Sequence, residues 1–388
     1  MYRTKPKPDV RSAQSGLRGL VCALLCSLIC GCGGGSSDSG TTPPPSPPSS
    51  TTDSLLAVTN ATAGSIDLFT IDTTTGTPTS VAGSPMSDGP APAAVAIDPL
   101  KRFLYVVSTS GEVRGYVIAP STLNLSAVAG SPFSTGAQSV GIAVDPSGQF
   151  VLTANGSADS VSVFKIGSTG TLTEVTGSPY AAGSNPSAIL VAGGQYVYAA
   201  NTSGSSVSAY SLNTTSGALT PVVGSPFATP GLPNGLVVDP AGTHLYASES
   251  QPNEMSGFSI DANTGALSTI SGSPFRASFA IRTPVIDAAG KRLHVSNGTA
   301  VDCFEVDAST ASLSEIGVSA TNGQSSIALA LDGPDNFLYV LDNLANQIEV
   351  FSIDTNSGAL TLINGSPFTL FAGASTQNLG PNAIAVQH

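Results

Sequence analysis

The chain has 388 residues, only 10% of them charged, with 13 Lys and Arg against 25 Asp and Glu for a net charge of −12. Such an acidic, charge-poor chain has no electrostatic footprint for nucleic acid, because phosphate contacts need clustered basic side chains. Its length is ample for a buried core.

The first element is a leader. Residues 1 to 19 carry Arg3, Lys5, Lys7, Arg11 and Arg18, and an apolar run follows from Leu20 to Ile29. That run is too short for a permanent membrane helix and suits a secretory signal. It ends in Leu28-Ile29-Cys30-Gly31-Cys32, which resembles a bacterial lipobox with Gly31 at the cleavage position and Cys32 acylated; Cys30 is the poorer choice because bulky Ile29 precedes it. Residues 1–31 are therefore read as a lipoprotein-type signal peptide. Residues 32–53, a Gly/Ser then Pro-rich stretch behind the lipidated cysteine, are read as a flexible tether. The expectation is an exported protein held to the cell-envelope membrane by its N-terminal lipid. An ordinary signal peptide with incidental cysteines is the alternative. Without the leader, eight basic residues face 24 acidic ones, a net of −16.

From residue 54 onward the chain repeats. Gly-Ser-Pro begins at Gly83, Gly130, Gly177, Gly224, Gly272 and Gly365, in steps of 47, 47, 47, 48 and 93, and a degenerate copy at Gly317-Val318-Ser319 splits the long step. Seven units of about 47 residues result, a period typical of repeat architectures. Each unit holds four β-type runs, in the second full unit Val140–Val144, Phe150–Ala154, Ser160–Ile166 and Thr171–Thr176. Runs rich in β-branched and aromatic residues between turn residues predict strands, and four per unit predict a propeller blade. No unit shows the apolar spacing of a helical repeat.

Turn chemistry recurs with the strands. Asp98-Pro99, Asp145-Pro146 and Asp239-Pro240 join first to second strands, while Asp72 to Gly76, Asp261 to Gly265 and Asp354 to Gly358 join third to fourth. Asp starts such turns and Gly supplies positive φ; none of these loops has the dense acidic spacing of a calcium site. Pro in Gly-Ser-Pro places the fourth strand on an outer edge. The aromatic after it (Phe133, Tyr180, Phe227, Phe275, Phe368) is expected to pack on the neighbouring blade. The repeat starts out of phase, with a second-type strand at Leu55, and ends with a first-type strand at Asn382–Val386. The C-terminal strand should therefore complete the N-terminal blade, closing a seven-bladed ring over residues 54–388 with no open edge between blades.

Candidate functional residues are found where the repeat breaks. Second strands end in a polar column, Asn60, Ser108, Asn155, Asn201, Glu249, Asn297 and Asp342, and Asn there is expected to cap the turn to the third strand. Glu249 is the outlier. Its turn adds Glu254, and the connection to the next blade carries Arg276 and Arg282. Both kinds of loop share one propeller rim, so a carboxylate base and anion-holding guanidinium groups could converge there; the alternative is a surface ion-pair cluster. His294 occupies a column otherwise held by Tyr105, Tyr198, Tyr246 and Tyr339, which makes it a packed strand residue. Cys303, the one cysteine beyond the leader and anchor, is read as a small buried apolar residue. No ligand spacing for a metal, no nucleophile elbow and no cofactor-docking motif occurs, so no metal or cofactor is expected.

The IAVDPSG-like, FLYV-like and VSVF-like strands, with Gly-Ala-Leu-Thr before Gly-Ser-Pro-Phe, resemble the bacterial lactonase-type seven-bladed β-propeller family, which includes 6-phosphogluconolactonases. The resemblance covers essentially all of residues 54–388. It implies an all-β propeller and lactone hydrolysis, although the family's catalytic His, Glu and Arg cannot be matched residue by residue. Two readings follow: an exported hydrolase of a sugar lactone or related small anionic lactone, or a non-catalytic envelope propeller that binds a partner or ligand through polar rim loops such as Asn155-Gly156-Ser157 and Thr202-Ser203-Gly204. In both readings the chain is monomeric.

Overall fold

The computed structural model describes residues 54–277, 281–321, 325–370 and 381–386; Cys32, the leader and the tether lie outside them. Seven antiparallel sheets form the blades. In blade three the strands are Ser139–Val144, Phe150–Asn155, Ser160–Ile166 and Leu172–Glu174, running from the inside of the ring outward. The expected boundaries hold at four of these eight ends and differ by one or two residues at the other four.

The ring closes as the phase of the repeat requires. Pro381–Val386 is the inner strand of blade one and pairs with Ser54–Asn60, Leu56 opposite Val386 and Val58 opposite Ile384. Behind it stand Ser65–Ile71 and Pro78–Ser80.

The Gly-Ser-Pro tripeptide has a structural purpose that its composition alone does not reveal. It interrupts the outer strand, and the chain then re-pairs with the third strand over two residues, as at Tyr180–Ala181 and Phe227–Ala228. At the interruption proline has no N–H to offer, and the serine hydroxyl accepts the third-strand amide instead. Ser84, Ser131, Ser178, Ser225, Ser273 and Ser366 all make this bond, at 2.8 to 3.1 Å. Each satisfies a donor that burial would otherwise orphan, worth ~1 kcal/mol. The following aromatic belongs to the apolar cluster between its own blade and the next, Tyr180 with blades three and four and Phe227 with blades four and five. It also folds back over the glycine of its own tripeptide, where the rings of Tyr180 and Phe227 lie closest to Gly177 and Gly224, because the two-residue strand ties it to its own sheet.

Blades lock together through two wedge positions on the second strand. Tyr105, Tyr198, Tyr246 and Tyr339 are fully buried and donate their hydroxyls to carbonyls of the next blade's outer turn, at Gly170 (2.9 Å), Gly265 (2.8 Å), Ala311 (2.8 Å) and Gly76 (3.0 Å). At the position two residues earlier in the second strand, Phe103, Phe150, Tyr196 and Phe337 lie against Gly170, Gly217, Gly265 and Gly76 of the next blade's outer turn; a Cβ at Gly76 would sit 2.4 Å from the Phe337 ring. Glycine is required there twice over, for this approach and for its φ of 74°.

Blade six departs from this plan. Its strands are Pro284–Ile286, Arg292–Ser296, Ala300–Val306 and an unbroken outer strand Leu313–Ala320, in which Ile316 and Val318 are exposed. Arg292 and His294 occupy the wedge positions.

Candidate functional site

Second-strand ends, the hairpins that follow them and the blade-to-blade connections share one rim; first-to-second and third-to-fourth turns form the other. In blade five, His244–Ser250 reverses into Asn253–Ile260 at Gln251-Pro252. The register sets Glu249 opposite Glu254, and Glu254 opposite Arg276 on Phe275–Arg276. Directly opposed residues project to the same face with Cβ atoms ~4.5–5.5 Å apart, so these three lie side by side across three strands. Arg282 joins them through its main chain. Its carbonyl accepts the hydroxyl of Ser248, one residue from Glu249, and its N–H donates to the Ser296 carbonyl at 2.9 Å. All four sequence-predicted residues are thus brought to the same rim of blade five.

Their exposures differ. Glu249 is completely buried, Glu254 is half-buried, and Arg276 and Arg282 are exposed. No salt bridge joins either arginine to either glutamate among the described residues. The Glu249 carboxylate accepts the Ser256 hydroxyl at Oε1, and its Oε2 has no hydrogen-bond partner. That oxygen lies against Gly231, where a Cβ would stand 2.6 Å from it; only glycine allows the connection from blade four to cover the carboxyl. Burial pushes the Glu249 carboxyl up to about 7, the Ser256 hydroxyl and the nearby Gly231 amide pull the other way, and the Glu254 charge adds to the rise. A carboxyl so placed can exchange a proton near neutral pH.

Elsewhere the column is structural, though not uniformly as a turn cap. Asn60 and Asp342 accept two hairpin amides each and Asn297 accepts one. Asn155 and Asn201 instead turn inward to third-strand hydroxyls, Asn155 Nδ2 to Ser162 Oγ at 2.8 Å and Asn201 Nδ2 to Ser208 Oγ at 2.9 Å. Serine follows two residues after the strand start in those blades, and the amide prefers this buried partner.

The sequence reading missed a second ionisable cluster on the same rim. Buried Asp88, in the connection from blade one to blade two, accepts the Tyr116 hydroxyl at 2.5 Å and faces Arg114 at 3.4 Å. Arg114 also binds Glu112 at 2.6 Å. Burial pushes the Asp88 carboxyl up to about 6, with Tyr116 and Arg114 opposing. Arg114 stands where Ser162, Ser208 and Ser256 stand in blades three to five, and that break in the repeat was its signal. His294 is fully buried with neither ring nitrogen hydrogen-bonded, and burial lowers its imidazole to about 4; it is a packed neutral residue. Burial also raises the Cys303 thiol to about 11, which leaves it an inert thiol. Among the described residues no cluster of three or more His, Cys, Asp or Glu could hold a metal.

The opposite rim offers a different surface. There the central channel opens into a cavity of about 860 Å³ lined by inner strands of blades four to seven and one.

The family model for the lactonase seven-bladed β-propeller matches residues 54–188, 175–285 and 280–369. No curated protein matches the sequence. Among solved structures, a candidate 6-phosphogluconolactonase of Bacteroides fragilis superposes with a TM-score of 0.76 at 18% identity, over 88% of this chain and 99% of that one. The periplasmic gluconolactonase PpgL of Pseudomonas aeruginosa does so at 0.72 and 19%, over 86% and 99%, and a Lactobacillus plantarum protein at 0.70 and 20%, over 87% and 99%. At such identities these likenesses speak for the fold alone, whereas the family model spans nearly the whole ring: the chain belongs to the lactonase seven-bladed β-propeller family.

Proposed function

We propose that this propeller is an exported, lipid-anchored hydrolase of a sugar lactone or a related small anionic lactone, with its site on the Glu249 rim. The observation that carries the reading is a buried carboxyl shifted to about 7, set beside a second carboxylate and the exposed Arg276, with the exposed Arg282 on the adjoining connection, in a chain of this family. As base, Glu249 takes a proton from water as the water oxygen bonds to the lactone carbonyl carbon. The ring C–O bond then breaks, and the leaving alkoxide takes the proton back, giving the hydroxy acid. Glu254 orients the water, and Arg276 and Arg282 hold the substrate's anionic group. Cys32 supplies the anchor, and the periplasmic setting of PpgL is in keeping with export of this chain.

The test is a hydrolysis screen of neutral and acidic aldonolactones with residues 54–388. Turnover should fall ~10²-fold or more in Glu249→Gln, while Arg282→Ala should chiefly raise KM for anionic substrates. No rate above background with any lactone would sink the hydrolase. A binding role without turnover would then stand, and the complete burial of Glu249 is the observation that favours it.

A further inference from the structure

The rim opposite Glu249 has chemistry of its own. None of the seven inner strands contains an ionisable residue: their sequences are PAAVAI, SVGIAV, PSAILVA, PNGLVV, PVI, SIALAL and PNAIAV. The channel they enclose therefore has uncharged walls, and at this mouth, where the strand residues in the lining are Val, Ile, Leu, Ala and Pro, a cavity of about 860 Å³ opens, within the range that takes up small organic ligands. Val191, Val237, Val238, Val285, Ile286 and Ile384 line it and are half-buried, packed on one side against the clusters between blades and partly exposed at the opening.

Among the described residues that line it, the ionisable ones are Asp239 and Asp335, the first bonded by His244 at 3.1 Å and the second shared with the neighbouring cavity that holds Arg292. Burial raises the Asp239 carboxyl, but bonds from His244 and Thr243 outweigh it and hold the group below its ordinary value, so it is ionised at neutral pH. The blade-four turn lacks the Asp-Pro pair of its neighbours and has Gly193-Gly194, where nothing would meet an added Cβ, which leaves the mouth open on that side. Aliphatic walls beneath fixed negative charge complement one class of molecule. We propose that this mouth of the channel binds hydrophobic organic cations, with the alkyl part against Val237, Val285, Ile286 and Ile384 and the cationic head between Asp239 and Asp335. The site is separate from the Glu249 rim and independent of lactone turnover.

Calorimetric titration of residues 54–388 with octyltrimethylammonium below its micellar concentration, against octyl sulfate as the chain-matched anion, tests this. Saturable binding of the cation at least ~10-fold tighter than of the anion is expected, as charge complementarity dictates. Val238→Lys and Ile286→Lys, each placing a cation in the throat, should weaken it at least ~10-fold in protein that still unfolds cooperatively, and Asp335→Asn should narrow the preference over the anion. Should one lysine variant not fold, the other and Asp335→Asn decide. Absence of binding, equal binding of both amphiphiles, or full retention in folded variants would overturn the proposal.

Discussion

The seam between blades seven and one and the seam between blades six and seven use the same turn and opposite chemistry. At the first, Phe337 lies on Gly76 and the Tyr339 hydroxyl bonds the Gly76 carbonyl at 3.0 Å. At the second, the corresponding turn glycine is Gly358. The Arg292 side chain lies on it, where a Cβ would stand 2.8 Å from Nε, and its carbonyl is reached only by the Cys303 thiol at 3.8 Å. Buried His294, in the tyrosine position, makes no hydrogen bond, and a cavity of about 200 Å³ lined by Arg292, His294, Asp335 and Asp354 opens beside it. A blade seam is therefore set by two wedge residues, and replacing both converts a dry, bonded contact into a polar and under-packed one.

The largest expected effect comes from breaking the good seam. Tyr339→Ala should cost ~3–5 kcal/mol, as loss of a buried aromatic does, whereas His294→Ala, beside space that already exists, should cost under ~1.5 kcal/mol. Urea unfolding of both variants reads the difference, and equal losses would show that the wedge position does not set seam strength.

Acidity should separate blade six from blade five next. The His294 imidazole has its folded value lowered from 6.5 to about 4, so between these limits the unfolded chain binds the extra proton and stability falls as pH drops. The Glu249 carboxyl is raised from 4.5 to about 7; there the folded chain holds the extra proton, and stability falls as pH rises from 4.5 to 7. His294→Leu should thus gain in melting temperature over the parent towards pH 4, and Glu249→Gln towards pH 7 and above. Parallel melting curves across that range for either variant would contradict the assigned shift.

The smallest effect comes from repairing the weak seam. His294→Tyr should bring a hydroxyl within reach of the Gly358 carbonyl and stabilise the ring by ~1 kcal/mol. A loss instead would mean that the cavity cannot admit the ring.

The fold was legible because one unit was written seven times: turn acids, strand runs and Gly-Ser-Pro recur in fixed order, and the phase offset between Leu55 and Asn382–Val386 revealed the closure. Local chemistry was less so. That the tripeptide serines plug third-strand amides depends on a backbone break whose position only pairing defines. At the rim, Glu249 showed as the odd member of a column, yet its burial depends on Gly231, which belongs to another loop. The Asp88–Arg114 pair spans two blades and 26 positions, and no single repeat displays both partners. The aliphatic channel mouth was written in every inner strand, but without the ring those strands read only as core.

Closure by the last strand also sets an order of assembly. Leu56 pairs with Val386, so blade one keeps the edge of its second strand unpaired until residues 381–386 are in place. Pairings of such sequence separation form late and slowly, and a partly folded molecule exposes a strand template throughout that interval. A chaperone, or a short peptide of the Asn382–Val386 sequence supplied in trans, should therefore raise refolding yield by covering this edge until the native strand arrives.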